Sequence, residues 1–244
     1  MHAILTGMNG TVAPLLARYL RSKGVSVLGW NRESVPVDNE SKVRVFLEEN
    51  RPDWIVHLAT GSSDWAELIA RLCDEYQIKL LYTSSVSVFS SEQTGPFTVD
   101  LQPQPKDDYG TYKLECEQRM TAVNKDLIIA RLGWQIGEAP GSNNMVDFLH
   151  RKNQEEGRID ASIHWYPGCS FLEDTAEALY GLMCRYSPGL YHVDGNPGMN
   201  LYEISQALNR KHDLHWEISK SDQPKMNSLM KDERIAVKSI KDRL

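Results

Sequence analysis

Short apolar runs alternate with amphipathic stretches along the first half of the chain. Residues 3–6, 25–29, 54–58, 79–83 and 127–132 read as strands. After the first of them, Val12, Leu15, Leu16, Tyr19 and Leu20 keep the i, i+3, i+4, i+7, i+8 spacing of one buried helix face. Val43, Phe46 and Leu47 face inward from a helix over 41–50, and Leu68, Ile69 and Leu72 from one over 64–76. The run Trp54-Ile55-Val56-His57-Leu58 is apolar almost throughout, as expected of a strand covered on both faces. His57 within it reads as a packed core histidine. Strands alternating with helices predict an α/β fold, a Rossmann-type doubly wound parallel sheet.

Past residue 137 the pattern changes. A helix is expected around Met145, Phe148 and Leu149, an extended stretch over 158–165, and a helix over 174–185 with Ala178, Leu179 and Met183 inward. A strand over 189–193 and a helix over 201–208 follow. The tail from Ser219 is mostly polar until Ile235, Val237, Ile240 and Leu244.

The chemistry is carried by three stretches. Gly7-Met8-Asn9-Gly10-Thr11-Val12-Ala13 joins the first strand to the first helix. Gly7 permits the tight turn, Gly10 lets backbone approach a pyrophosphate, and small Ala13 allows close helix packing. Tyr109-Gly110-Thr111-Tyr112-Lys113 places Tyr109 and Lys113 on one helix face, where an ammonium favours the phenolate of a general acid/base. Tyr112, adjacent to Lys113, points elsewhere. The end of the fourth strand, Ser84-Ser85-Val86-Ser87, offers hydroxyls to orient a carbonyl. The strand-end turn Leu58-Ala59-Thr60 should touch the cofactor, because ligands of such sheets bind beyond the strands' carboxyl ends. The second strand ends in Trp30-Asn31-Arg32, where an acidic residue would accept the ribose hydroxyls of NAD. Arg32 suits a 2′-phosphate instead, so NADP(H) is favoured over NAD(H), with Asn31 beside it and Asp38 expected near the adenine.

Bulk properties narrow the class. The 244 residues are 41% hydrophobic and 25% charged, ordinary for a soluble globular chain. A net charge of -6 disfavours non-specific nucleic-acid binding. No apolar run reaches membrane-spanning length, and the N-terminus lacks the pattern of a signal peptide. Cys73, Cys116, Cys169 and Cys184 lack metal-site spacing and read as reduced thiols, so a cytoplasmic location and no metal are expected.

With these residues in view, the chain resembles the extended short-chain dehydrogenase/reductases, most of all the dTDP-4-dehydrorhamnose reductase group. The resemblance rests on the stretch from Thr6 to Ala13, Ser85 to Phe89, Tyr109 to Lys113, Arg131-Leu132-Gly133-Trp134, Gly189 to Val193, and the closing stretches at Asp232–Ile235 and Arg243-Leu244. It implies a catalytic set of Ser85, Tyr109 and Lys113. Tyr109 would give a proton to a keto oxygen, Ser85 would orient the carbonyl, and Lys113 would lower the tyrosine pKa and hold the nicotinamide ribose. It also implies a cofactor site at Gly7, Asn9, Gly10, Thr11, Val12, Asn31, Arg32, Asp38, Leu58, Ala59, Thr60, Tyr109 and Lys113, and substrate contacts at Ser85, Trp134, Cys169 and Ser170. The expected organisation is one domain over 1–244, with a cofactor-binding core at about 1–137 and a substrate lobe mainly over 138–244. The same resemblance implies a small-molecule substrate of the nucleotide-sugar kind and a homodimer. The chain departs from the family between Leu58 and Leu68, where members carry a longer loop and helix with an asparagine that helps hold the lysine. The competing expectation is an NADP(H)-binding sensor or regulatory subunit without turnover.

Overall fold

The computed structural model describes residues 1–139 and 141–244. Its elements run β1 (His2–Leu5), α1 (Ala13–Ser22), β2 (Ser26–Gly29), α2 (Glu40–Asn50), β3 (Trp54–His57), α3 (Ser63–Glu75), β4 (Lys79–Ser85), α4 (Asp108–Val123) and β5 (Leu127–Leu132). Then follow β6 (Trp134–Ile136), α5 (Met145–Glu156), β7 (Ile159–Ser162), β8 (Trp165–Tyr166), β9 (Cys169–Phe171), α6 (Leu172–Arg185), β10 (Gly189–Val193), α7 (Leu201–His212), β11 (Ile218–Ser221) and β12 (Met226–Asn227). Six strands form one parallel sheet in the order β10-β5-β4-β3-β1-β2. The fold is the expected Rossmann-type α/β sheet. The chain leaves β1 towards β2 and then crosses to β3 on its other side, so the topological switch point lies between β1 and β3, where such sheets open a ligand crevice.

Both faces are covered. Leu16 and Leu20 of α1 and Leu179 and Leu182 of α6 pack with Leu5, Val56 and Leu81 on one face. Val43, Leu47, Ile69, Leu72, Cys116 and Met120 of α2, α3 and α4 pack with Ile4, Ile55 and Tyr82 on the other. Side-chain caps fix the starts of five helices, with Asn39, Ser62, Asp107, Asn144 and Asn200 each accepting a first-turn N–H.

The second half departs from the expected boundary at residue 137. After β9, α6 and β10 return to the main sheet, with β10 pairing β5 in register from Gly189↔Ile128 to Val193↔Leu132. Only the segments before and after this return build the lobe. They share a separate core that includes Ile136, Leu149, Phe171, Leu201, Leu208 and Ile240. The tail is also less irregular than its polarity suggests: β11 pairs β7, and β12 pairs β8. These strands are short and held by backbone bonds, so they carry no periodic hydrophobic signal. Asp194 ties the pieces together. Its carboxylate accepts the N–H groups of Cys169 (3.0 Å), Asn196 (2.8 Å) and Met230 (2.7 Å).

Inside the core, Arg131 of β5 makes two bonds to Glu117 of α4, at 2.9 and 2.7 Å, and both side chains are buried. Replacing one partner strands a desolvated charge. Arg131→Met is expected to lower unfolding free energy by about 3 kcal/mol or more. The combined Glu117→Leu and Arg131→Met replacement should cost less than the single one, because it leaves no unpaired charge; urea titration of both variants checks this.

Candidate active site

The loop after β1 is shaped by close contacts at the switch point. Gly7 has φ +77°, and a Cβ there would lie 3.0 Å from the Ala59 nitrogen. Gly10 closes the turn by donating its N–H to the Gly7 carbonyl at 2.8 Å. Thr6 accepts the N–H groups of Leu58 (2.9 Å) and Ala59 (3.0 Å) on its hydroxyl oxygen. Its own proton is then left for His57 Nδ1, 2.9 Å away. His57 is fully buried, with its pKa pushed down to about 3 by burial and by the cations Lys113 and Arg32. It is therefore neutral with the proton on Nε2, the core histidine expected from sequence.

The start of α1 differs from the five capped helices. No side chain caps it among the described residues, and its first turn holds no acidic residue. Its free N–H groups lie beside Gly7 and Gly10, the arrangement that receives a phosphate. The glycine cradle and uncapped helix start thus fit a dinucleotide. Two adjoining cavities of about 350 and 990 Å³ share Gly7, Gly10, Thr11, Leu58 and Asn143. The larger adds Asn9, Asn31, Arg32, Glu33, Ala59 and Thr60. The smaller adds Val12, Ser85, Ser87, Tyr109, Lys113, Trp134 and Gln135.

Tyr109 is the second residue of α4, and the Asp107 cap holds that turn through a 2.7 Å bond from the Gly110 N–H. Ser85 ends β4; its oxygen accepts the Ser87 N–H at 3.1 Å, and its hydroxyl lies 3.1 Å from that of Ser87. The two parts meet through Gly110, where a Cβ would fall 2.0 Å from the Ser87 carbonyl oxygen. Partial burial pushes the Tyr109 phenol up; a hydrogen bond with Ser85 opposes this and the Asp107 charge adds to it. The phenol ring is 46% exposed, so a ligand in the cavity can reach it. Lys113 is 2% exposed, and its ammonium donates to the Thr83 carbonyl at 2.9 Å. Burial brings its pKa down to about 8, against the charges of Cys116 and Glu117. Its Nζ stands 5.8 Å from the Tyr109 ring centroid. The influence that draws the phenol down is the Ser85 hydroxyl.

Three expected site residues lie elsewhere. Asp38 is exposed in the turn ahead of α2 and lines neither cavity. Cys169 and Ser170 are fully buried in β9, beneath Trp134 and Gln135 of β6. The Ser170 hydroxyl oxygen accepts the Gly195 N–H at 2.9 Å, so both residues support the lobe from below. Neither lines the two cavities, because the turn that carries them is drawn into a β6–β9 pair. Conversely, Gln135 and Asn143 line the crevice without a sequence signal; they reach it through the fold of the lobe. Tyr112 does point away from the cavity, and its hydroxyl accepts the Gly61 N–H at 3.0 Å, pinning the turn after β3. No group of His, Cys, Asp and Glu side chains able to hold a metal occurs among the described residues. Among the described residues, no helix is long and apolar enough to cross a membrane.

Comparison with known proteins places this geometry. The family model described as RmlD substrate binding domain matches residues 1–67 and 62–227. A dTDP-4-dehydrorhamnose reductase from Mycolicibacterium smegmatis is 25% identical over 208 residues, 78% of this chain and 63% of the relative. The chain thus spans less than two thirds of that relative's length. Methionine adenosyltransferase 2 subunit beta from Xenopus tropicalis is 25% identical over 238 residues, covering 84% of this chain and 70% of that one. Among solved structures, dTDP-4-dehydrorhamnose reductase from Bacillus anthracis in complex with NADP superposes with a TM-score of 0.86 at 19% identity, covering 99% of this chain and 96% of that one.

Two outcomes test the site geometry. Gly110→Ala should cost about 2 kcal/mol in urea unfolding, since a methyl group meets backbone that cannot swing aside. By parting Tyr109 from Ser85 it should also raise the phenol pKa further, read by ultraviolet titration. Lys113 supplies a pH test. Its folded pKa of about 8 lies below the ordinary 10.5, so between these values the unfolded chain binds more protons and stability rises with pH. Relative to Lys113→Met, the wild-type protein should gain on the order of 3 kcal/mol across that window.

Proposed function

The chain belongs to the RmlD substrate binding domain family, a group of the extended short-chain dehydrogenase/reductases, and on that footing we propose that it is an NADP(H)-dependent reductase of a keto group on a nucleotide-linked sugar or similar metabolite. The observation that carries this reading is the convergence of Ser85, Tyr109 and Lys113 on one cavity continuous with the glycine-loop crevice. The reading extends to a cytoplasmic homodimer. It assigns cofactor binding to the β1–β5 part of the sheet and substrate binding mainly to the lobe.

In this mechanism Gly7, Gly10 and the first N–H groups of α1 would hold the pyrophosphate of the cofactor, and Arg32 would hold its 2′-phosphate. The nicotinamide, when bound, supplies the hydride. Tyr109 holds the proton on its phenol oxygen and releases it to the carbonyl oxygen of the substrate. Ser85, which lines the same cavity, donates to the same carbonyl and fixes its direction. Lys113 is protonated below about pH 8 and provides the neighbouring positive charge that favours the phenolate left behind. Trp134 stacks on Trp165 at 5.8 Å and meets Phe148 edge-on at 5.2 Å, an apolar platform suited to a sugar or base face.

The similarity to a subunit named as part of methionine adenosyltransferase favours a second reading, an NADP(H)-binding regulatory subunit without turnover. One assay separates the two: NADPH binding, followed by absorbance decay with dTDP-4-keto sugars. The reductase reading expects decay, and expects Tyr109→Phe to slow it by about a thousandfold with NADPH affinity retained. Binding without decay on any carbonyl substrate would favour the regulatory subunit.

A further inference from the structure

The connection from β3, which ends at His57, to α3, which starts at Ser63, is short. It brings Trp65, in the first turn of α3, directly beneath Thr60. Ser62 caps that turn by accepting the Trp65 N–H at 3.2 Å. A Cβ on Gly61 would fall 2.7 Å from the Trp65 ring, so the glycine is what lets the indole tuck under the turn. Two edge-on contacts hold the ring, with His57 at 4.6 Å and Trp30 at 5.8 Å. Trp65 is 1% exposed and has no freedom to turn.

The guanidinium of Arg32 lies over this ring, 4.7 Å from its centroid. One of its N–H groups also donates to the Thr60 carbonyl. An exposed arginine ordinarily samples many rotamers, and ordering it on binding costs affinity. Here a flat face below and a carbonyl at one edge hold the guanidinium plane at the wall of the larger cavity. Its other N–H donors remain for a planar, bidentate contact with a phosphate.

We propose that Trp65 is a positioning residue for cofactor selectivity: it holds Arg32 in the orientation that receives a 2′-phosphate. The proposal rests on the NADP(H) reading above. The short connection supplies this device, because a longer one would let residue 65 lie away from Thr60. Tyr112 stabilises the arrangement from the other side through the Gly61 N–H.

The test measures binding of 2′,5′-ADP and of 5′-AMP to the whole protein by calorimetry, so no turnover is needed. The ratio of the two affinities isolates the 2′-phosphate. Trp65→Leu is expected to cut the ratio by about fivefold, the scale of a cation–π contact of this kind, while 5′-AMP binding persists. Trp65→Phe, which keeps a flat face, should retain most of it. A wild-type preference that survives Trp65→Leu overturns the proposal alone. A wild-type ratio near one overturns the NADP(H) reading and this proposal with it. Should Trp65→Leu fail to fold, Gly61→Ala decides: it displaces the indole from the exposed side, and an unchanged ratio in that variant overturns the proposal.

Discussion

The Thr6 hydroxyl, accepting two backbone N–H groups from the exit of β3, is the contact on which the crevice depends. It draws the β3 turn against the glycine loop until only a hydrogen atom fits on Gly7. The two loops that would embrace a dinucleotide are thereby fixed against each other without a ligand. The contact also determines the state of His57. A hydroxyl whose lone pairs are taken must donate, and a buried imidazole between two cations cannot take up a second proton. A polar group inside the sheet thus becomes a rigid support for the loops outside it.

The acid/base end of the crevice is built by desolvation. Lys113 lies under its own helix, and burial alone brings its pKa close to neutrality, leaving a cation ready to respond to its surroundings. One turn on, Glu117 pairs with Arg131, whose guanidinium also lies near His192. His192 Nδ1 in turn donates to the Phe97 carbonyl at 3.1 Å, and its backbone N–H donates to Asp232 at 3.2 Å. Helix α4 is therefore linked through β5 and β10 to the tail by polar contacts, each partner satisfying the next. Such a network fixes geometry more than it adds stability, since each buried charge must first lose its water.

The lobe is held by a different device. Burial raises the Asp194 carboxyl to about pKa 7, although the three backbone N–H groups of Met230, Asn196 and Cys169 favour its charge. Those three groups come from the tail, the loop before α7 and β9. One side chain thus replaces the hydrophobic face that the short strands there lack, and the platform carrying Trp134 inherits its position from it.

By itself the sequence determined the α/β class, the alternation of the first five strands with their helices, the glycine loop, and the place of Tyr109 and Lys113 one turn apart on one helix. Each is a local matter: a period of hydrophobic residues, a residue that alone tolerates a turn, or two side chains one helical turn apart. It also pointed to Arg32, in the loop after β2, and to the serines that close β4, among which the family resemblance singled out Ser85. Only the tertiary structure decided the rest. The return of α6 and β10 to the sheet, the burial of Cys169 and Ser170, and the exposure of Asp38 depend on which segments pair, and pairing between distant short strands leaves no periodic trace. Lys113 points to Thr83 rather than to Tyr109 because the nearest backbone acceptor in its dry pocket lies on β4. Trp65 reads as an ordinary buried residue of an amphipathic helix. Its place beneath Arg32 exists because β3, the short turn and β2 bring residues 32, 60 and 65 to one point, and proximity of that kind is a property of the fold.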